Sequence, residues 1–309
     1  MSERAEATVT IGTFDGFHRG HAAVVAVARE HARAAGTRLG IYTFDPHPKA
    51  VVSPRGAPPA LCLESDRRRL LYEAGADDVH VLHFDRALAA LSAEEFLEHH
   101  VLSRYRLDAL VVGYDFAMGR GREGSVPRLR EIGAVLGFIV DQVAELEAGG
   151  APISSSRIRS AIRDGDVESA AAWLGRPFRL TGTVVRGAGR GAGLGFPTAN
   201  LDVPEILLRP ARGVYAGWVG GLERPWPAVA NLGRRPTFGG GEETVEAHLL
   251  GFSGDLVERS LTLDLVHRLR PERRFNGPEA LADQIAVDCR EARRLLAVPD
   301  PEPDPEPGA

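Results

Sequence analysis

The stretch Thr8-Val-Thr-Ile-Gly-Thr-Phe-Asp-Gly-Phe-His-Arg-Gly-His-Ala-Ala-Val-Val-Ala-Val-Ala28 decides the fold of the first half of the chain. Thr8 to Gly12 is a short β-branched run, apolar on both faces as a buried parallel strand is. A polar turn with two glycines follows. Ala22 to Ala28 is ambiguous by itself, because seven small apolar residues also suit a strand. The polar continuation to Ala35 and the terminating Gly36 predict a helix instead. Working outward, further strands are predicted at Arg38 to Thr43, Val79 to Phe84, Ala109 to Val112 and Phe138 to Val143. Longer Arg- and Glu-bearing segments separate them, the pattern of an α/β unit with parallel strands and helical crossovers, reaching about Gln142.

Ser154 to Ser156 suit a helix cap, with the helix running through Ile162; Asp164-Gly165-Asp166 then turns the chain into a second short helix ending near Trp173. A boundary is expected around Gly175 to Phe178. Beyond it, strand-like segments alternate with glycine and proline clusters: Leu180 to Val185, Val214 to Val219, Ala228 to Leu232, Thr244 to Leu250 and Leu261 to Val266. This reads as a small antiparallel barrel or sandwich. A helix from about Pro278 to Leu296 places Leu281, Ile285, Cys289, Ala292 and Leu296 at helical spacing and is expected to pack over one side. The expected division is 1–175, 176–298 and a disordered tail 299–309, whose PDPEPDPEP run has too little apolar content to order.

The 309 residues suit two domains, and 44% hydrophobic with 26% charged residues is an ordinary globular balance. A net charge of -5 argues against a nucleic-acid binder that works by bulk positive charge. No apolar run approaches the roughly 18 residues of a membrane span, and Met1 to Ala7 lacks a signal segment. A cytoplasmic protein with small-molecule partners, a monomer or weak homo-oligomer, is expected. Cys62 and Cys289 have no paired spacing, so neither a disulfide framework nor a thiolate metal site is read, and both are taken as filler. Lys49 is the only lysine, so nucleotide chemistry here cannot use a P-loop lysine.

In open α/β sheets ligands sit outside the carboxyl ends of the strands. The turns there are polar: Thr13 to His21, Phe44-Asp-Pro-His-Pro48, Gly113-Tyr-Asp-Phe116 and, soon after the fifth strand, Ser154 to Arg159. His18 and His21 flank Gly20 at the predicted helix start, where backbone N–H groups and the helix dipole favour an anion. Gly20 lets a phosphate approach the backbone, and the two imidazoles can donate hydrogen bonds to a triphosphate as charge builds on leaving pyrophosphate. In the second half, Gly187 to Asn200 holds five glycines in fourteen residues, a backbone able to bend around phosphates. Thr198 and Asn200 at its end are hard neutral oxygen ligands suited to Mg²⁺ beside ATP. Alternation in Thr244 to Leu250 puts Glu246 on one face with Thr244, His248 and Leu250.

These motifs resemble the bacterial bifunctional riboflavin kinase/FAD synthetase family: Thr13 to His21, TFDPHP at Thr43 to Pro48, GYDFAMG at Gly113 to Gly119 and ISSSRIR at Ile153 to Arg159 for one half, GFPTAN at Gly195 to Asn200 for the other. The resemblance spans about Val9 to Leu296. It implies a Rossmann-like nucleotidyltransferase domain with a parallel sheet, followed by a small antiparallel β-barrel kinase domain with a C-terminal helix. It further implies ATP as co-substrate, Mg²⁺, and riboflavin, FMN and FAD as substrates and products. By the same resemblance His18 and His21 stabilise adenylyl transfer, with Gly12, Phe14, Asp15, Gly16, Gly20, Ser154, Ser155 and Arg159 around the ATP phosphates. His47, Asp115 and Phe116 would line the flavin. In the kinase half Glu246 is the implied base, Thr198 and Asn200 the metal ligands, and Gly187, Gly195, Pro197 and Asn231 the nucleotide frame. Two positions depart from the family pattern: Ala192 stands where an arginine is usual, and Gly251 where an aspartate is usual.

Overall fold

Residues 4–187, 190–234 and 243–299 are described by the computed structural model. The chain divides into two units, Met1–Ser155 and Ser156–Ala309. In the first, the expected strands form β1 (Ala5–Ile11), β2 (Arg38–Asp45), β3 (Asp78–His83), β4 (Tyr105–Gly113) and β5 (Ile139–Val143). They lie in the order β3-β2-β1-β4-β5, all parallel. The ambiguous Ala22 to Ala28 run is helical, inside α1 (Arg19–Ala35), and Gly36 caps that helix in the left-handed conformation at φ 68°.

Period-2 alternation sorts the strand residues to two faces. Ile41 and Val111 join Val25, Ala28 and Ala32 of α1 and Leu70 and Leu71 of α2 (Glu64–Glu73) on one side. Val9, Ile11, Leu110 and Val112 pack on the other with Leu97, Val101 and, from α3 (Val126–Leu136), Leu129 and Ile132. The strand order reverses between β1 and β4. The crevice beyond their carboxyl ends is where such a sheet holds ligands.

Two helices, α4 (Ser155–Asp164) and α5 (Val167–Leu174), precede six antiparallel strands. These are β6 (Phe178–Val185), β7 (Ala199–Asp202), β8 (Gly213–Gly220), β9 (Trp226–Arg234), β10 (Glu243–Leu249) and β11 (Ser260–Arg270). They close in the order β6-β7-β10-β9-β8-β11, which resolves the barrel-or-sandwich alternative in favour of the barrel. Strand β7 is absent from the sequence expectation. Its four residues follow a glycine-rich loop, and only Ala199 and Leu201 face inward, too short a pattern to register as a strand. Leu250 also departs from its expected face. The strand stops at Leu249, Leu250 N donates to the Pro227 carbonyl at 2.8 Å, and the Leu250 side chain packs into a buried cluster.

That cluster lies under α6 (Pro278–Leu295): Cys289, Ala292 and Leu296 meet Val214, Ala216 and Val229. Leu281 and Ile285 are only half-buried. The same helix carries buried Asp288, which takes charge-assisted bonds from Arg270 Nε at 3.0 and 3.1 Å and from Arg270 Nη2 at 2.8 Å, and one from Gln284 at 2.7 Å. From residue 300 the expected disordered tail lies outside the described residues. Breaking a buried pair by removing one partner strands a charge, at a cost of about 3–5 kcal/mol. Asp288→Ala is therefore expected to lower the unfolding free energy of the barrel unit by that order, read as a lower denaturant midpoint at unchanged slope, and an unchanged midpoint would refute the assignment.

Candidate active sites

Between β1 and α1 the backbone takes left-handed values at Phe14 (φ 47°), Gly16 (φ 77°) and Phe17 (φ 35°). For non-glycine residues such geometry costs about 1–3 kcal/mol each. Burial of both phenylalanine rings in the α1-side core offsets it. Gly16 is required twice over, because a Cβ there would also stand 2.8 Å from the Leu61 side chain. Polar anchors complete the turn. Asp15 Oδ1 accepts from Leu61 N at 2.9 Å, Cys62 Sγ accepts from Gly16 N at 3.3 Å, and Ser155 Oγ donates to the Asp15 carbonyl at 3.1 Å. Thr43 Oγ1 donates to the Thr13 carbonyl at 3.1 Å.

The loop delivers His18 as the N-cap of α1. Its Nδ1 accepts from His21 N at 3.3 Å, which leaves Nε2 to carry the ring proton. The two rings stack with centroids 3.6 Å apart and 17° between planes, and Phe14 meets His21 edge-on at 5.3 Å. His21 Nδ1 is buried with no hydrogen-bond partner among the described residues. Burial, and secondly the adjacent His18, holds the His21 pKa well below its usual 6.5. Gly20 keeps the first helical turn bare, and a Cβ there would come within 3.1 Å of the His18 ring. The result is a pair of neutral imidazoles at the positive end of a 17-residue helix, a preorganised donor set for a polyphosphate. The Gly12 Cβ position lies 3.0 Å from the Phe14 ring, so Gly12 and Phe14 shape the loop together.

The remaining expected residues of this half are placed as follows. His47, half-buried after β2, accepts at Nδ1 from Lys49 N at 3.1 Å. At the end of β4 Asp115 is exposed, and Arg122 Nη2 ties its carbonyl at 2.9 Å. Phe116 packs against the core of the β1–β4 face. Ser154 is half-buried ahead of α4, and Arg159 is buried on that helix at 5% exposure.

In the barrel, Val245, Ala247 and Leu249 face inward, which turns Thr244, Glu246 and His248 outward. Registry then does the assembly. Glu246 pairs directly with Asn200 of β7 on one side and with Asn231 of β9 on the other, and such opposed residues hold their Cβ atoms about 4.5–5.5 Å apart. A carboxylate and two amides thus share one outer face. Gly187 lies against Asn200, where a Cβ would come 2.2 Å from the amide nitrogen. His248 Nδ1–H donates to the Pro197 carbonyl at 2.8 Å and fixes the chain just before Thr198. Gly191 allows the glycine loop to fold back, because a Cβ there would meet the Phe196 carbonyl at 2.4 Å and Thr198 Oγ1 at 3.3 Å. Gly195 is left-handed at φ 85°. Of the two departures, Ala192 is exposed, and Gly251 adopts φ 81°, a conformation an aspartate holds less readily.

A doubly wound parallel sheet with neutral histidines at a helix N-terminus, and a closed barrel with an outward acid beside amides, define a chain with two ATP-dependent transferase sites. The FAD synthetase family model matches residues 1–157 and the riboflavin kinase family model residues 174–296. This chain belongs to the bifunctional riboflavin kinase/FMN adenylyltransferase family. The Escherichia coli (strain K12) member is 38% identical over 294 residues, covering 95% of this chain and 94% of the relative. The Bacillus subtilis (strain 168) member is 31% identical over 301 residues, covering 96% and 94%. A crystal structure described as a macrolide-efflux protein from Streptococcus pneumoniae superposes with a TM-score of 0.85 at 30% identity, covering 93% of this chain and 94% of that one. Among the described residues no helix is long and apolar enough to cross a membrane.

Sequence reasoning missed Leu61 and Cys62 as parts of the first site. They lie 46 positions from their partners, and no local pattern announces such a contact. The depressed His21 pKa has a thermodynamic sign. Below about pH 6.5 the unfolded chain binds a proton that the folded ring refuses, so stability falls as pH falls. His21→Gln removes that proton uptake. Between pH 6.5 and 5 its denaturation free energy is expected to vary less steeply than the wild type's by up to about 1.4 kcal/mol per pH unit; equal slopes would show that the ring titrates alike in both states.

Proposed function

We infer that this chain makes FAD in two steps, phosphorylating riboflavin with ATP to FMN in the barrel and then transferring the adenylyl group of a second ATP to FMN, with release of pyrophosphate, at the sheet edge. The observation that carries the reading is the convergence of the required groups in each unit: Asn200, Glu246 and Asn231 in one register, and His18 stacked on His21 at a helix N-terminus. The domains are 1–175 for adenylyl transfer and 176–298 for the kinase. Both steps belong in the cytoplasm, in a monomer or weak homo-oligomer without nucleic acid.

At the sheet edge a phosphate oxygen of FMN attacks the α-phosphorus of ATP, and the bond to the bridging oxygen of pyrophosphate breaks. His18 donates from Nε2 and His21 from its ring N–H to the phosphate oxygens as charge moves onto the leaving group. Neutral donors suit the task because they are already oriented and need no proton from solvent. Gly12, Gly16 and Gly20 keep the backbone close to the phosphates, Ser154 and Arg159 add donors, and His47, Asp115 and Phe116 border the flavin. In the barrel Glu246 takes the proton of the attacking ribityl hydroxyl, Asn231 frames the nucleotide, and Gly187, Gly195 and Pro197 shape the loop over the phosphates. Thr198 and Asn200 would hold a Mg²⁺, since both present neutral hard oxygens and Asn200 lies opposite the Glu246 carboxylate. When bound, that ion neutralises charge on the transferring phosphoryl group.

Pure protein given riboflavin, ATP and Mg²⁺ is expected to yield FMN and then FAD by chromatography; absence of both defeats the reading. Glu246→Ala should cut FMN formation by about 10²–10⁴-fold while added FMN is still adenylylated. His21→Ala should block FAD and spare FMN. Loss of both activities in either variant would contradict the division of labour.

A further inference from the structure

We propose that Asp15 is a positioning residue for adenylyl transfer, acting through a two-bond clasp on Leu61–Cys62 that sets the phosphate-binding loop, rather than by touching the nucleotide. The proposal rests on the adenylyltransferase reading of the first unit. Asp15 is buried, at 3% exposure, and its Oδ1 accepts from the Leu61 amide at 2.9 Å. One residue further along each segment the polarity reverses, with the Gly16 amide donating to Cys62 Sγ at 3.3 Å. Two crossed bonds between adjacent residues on both sides fix register as well as distance. The Leu61 side chain seals the clasp, lying where a Gly16 Cβ would be only 2.8 Å away. From the other side Ser155 Oγ holds the Asp15 carbonyl at 3.1 Å. Asp15 is thus gripped at its carboxylate and at its main chain, three residues before His18.

A carboxylate aimed at a triphosphate would repel it, whereas this one is turned onto a backbone N–H that needs an acceptor. Its contribution to the reaction therefore runs through the loop. Release of the clasp lets Phe14, Gly16 and Phe17 leave their left-handed values, and His18 and His21 move with them. Misplacement of catalytic donors by about 1 Å costs on the order of 10²-fold in rate. The Cys62 sulfur, which a reading of spacing alone takes as filler, becomes half of the device.

The test follows adenylyl transfer to added FMN, at varied ATP, in full-length wild type, Asp15→Ala, Asp15→Asn, Cys62→Ala and Cys62→Ser, with a melting curve for each. Wild type that makes no FAD from FMN would defeat the adenylyltransferase reading itself. Given an active wild type, Asp15→Ala is expected to lose about 10²-fold in kcat with KM for ATP changed by less than about threefold, the signature of a lost transition-state interaction. Asp15→Asn keeps an acceptor oxygen for Leu61 N and should recover most of the rate. Cys62→Ala should lower kcat more modestly, with Cys62→Ser restoring it, and this pair reads the clasp even if Asp15→Ala does not fold. Asp15→Asn as slow as Asp15→Ala would overturn the proposal, because negative charge itself would then be needed. So would folded alanine variants that keep the wild-type kcat and differ only in melting temperature.

Discussion

The first unit depends on holding one loop in a backbone geometry its residues do not favour. Phe14 and Phe17 stand at positive φ, and nothing in their own chemistry keeps them there. What keeps them is burial of their rings on the α1 side of the sheet, with the main chain between them fixed at the Asp15 carbonyl, which accepts from Ser155 Oγ, and at the Gly16 amide, which donates to Cys62 Sγ. The strain is local and the compensation distributed. This path from Ile11 to Arg19 brings His18 to the N-cap with its Nδ1 accepting from the His21 amide and the two rings in contact.

The barrel solves a different problem by closure. A four-residue strand, β7, has little hold of its own, yet it lies between β6 and β10 and completes the ring. Its register is set from both sides, Asn200 opposite Val185 and opposite Glu246. A slip by one residue would turn Ala199 and Leu201 outward and Asn200 into the apolar interior, which the core forbids. Placement of Asn200 beside Glu246 therefore follows from hydrophobic burial of its neighbours. The glycines around it, Gly187 and Gly191, are where other chain segments come too close for any side chain.

Much of this was legible in the amino-acid sequence, and the reasons are physical. Buried parallel strands such as β2 and β4 are apolar on both faces, and α1 is bounded by a glycine whose left-handed cap is the standard stop. The His-x-x-His pair and the Thr-x-Asn pair were visible because each sits within a few residues. Strand β7 was not, because its pattern is shorter than the alternation that identifies a strand. Contacts across long separations were equally silent: Asp15 with Leu61, Ser155 with Asp15, Arg270 with Asp288. A carboxylate in a polar turn looks the same in sequence whether it faces a ligand or a backbone amide.

The charge inventory bears on which groups the two proposed sites use. With a single lysine, positive charge falls to arginine, and several arginines are committed to the framework. Arg38 grips Asp78, Arg179 grips Asp264, Arg270 grips Asp288, and buried Arg67 donates to the Phe44 carbonyl. A planar guanidinium with paired donors is well matched to such bidentate work. In the proposed sites the Arg159 guanidinium is joined by features that carry dipole rather than net charge: helix N-termini, bare glycine backbone, imidazoles, hydroxyls and amides. Such groups bind a polyphosphate less tightly than a lysine cluster would, but they are oriented before the substrate arrives. Their advantage grows as negative charge shifts onto the leaving group, which is the moment at which a transferase needs it.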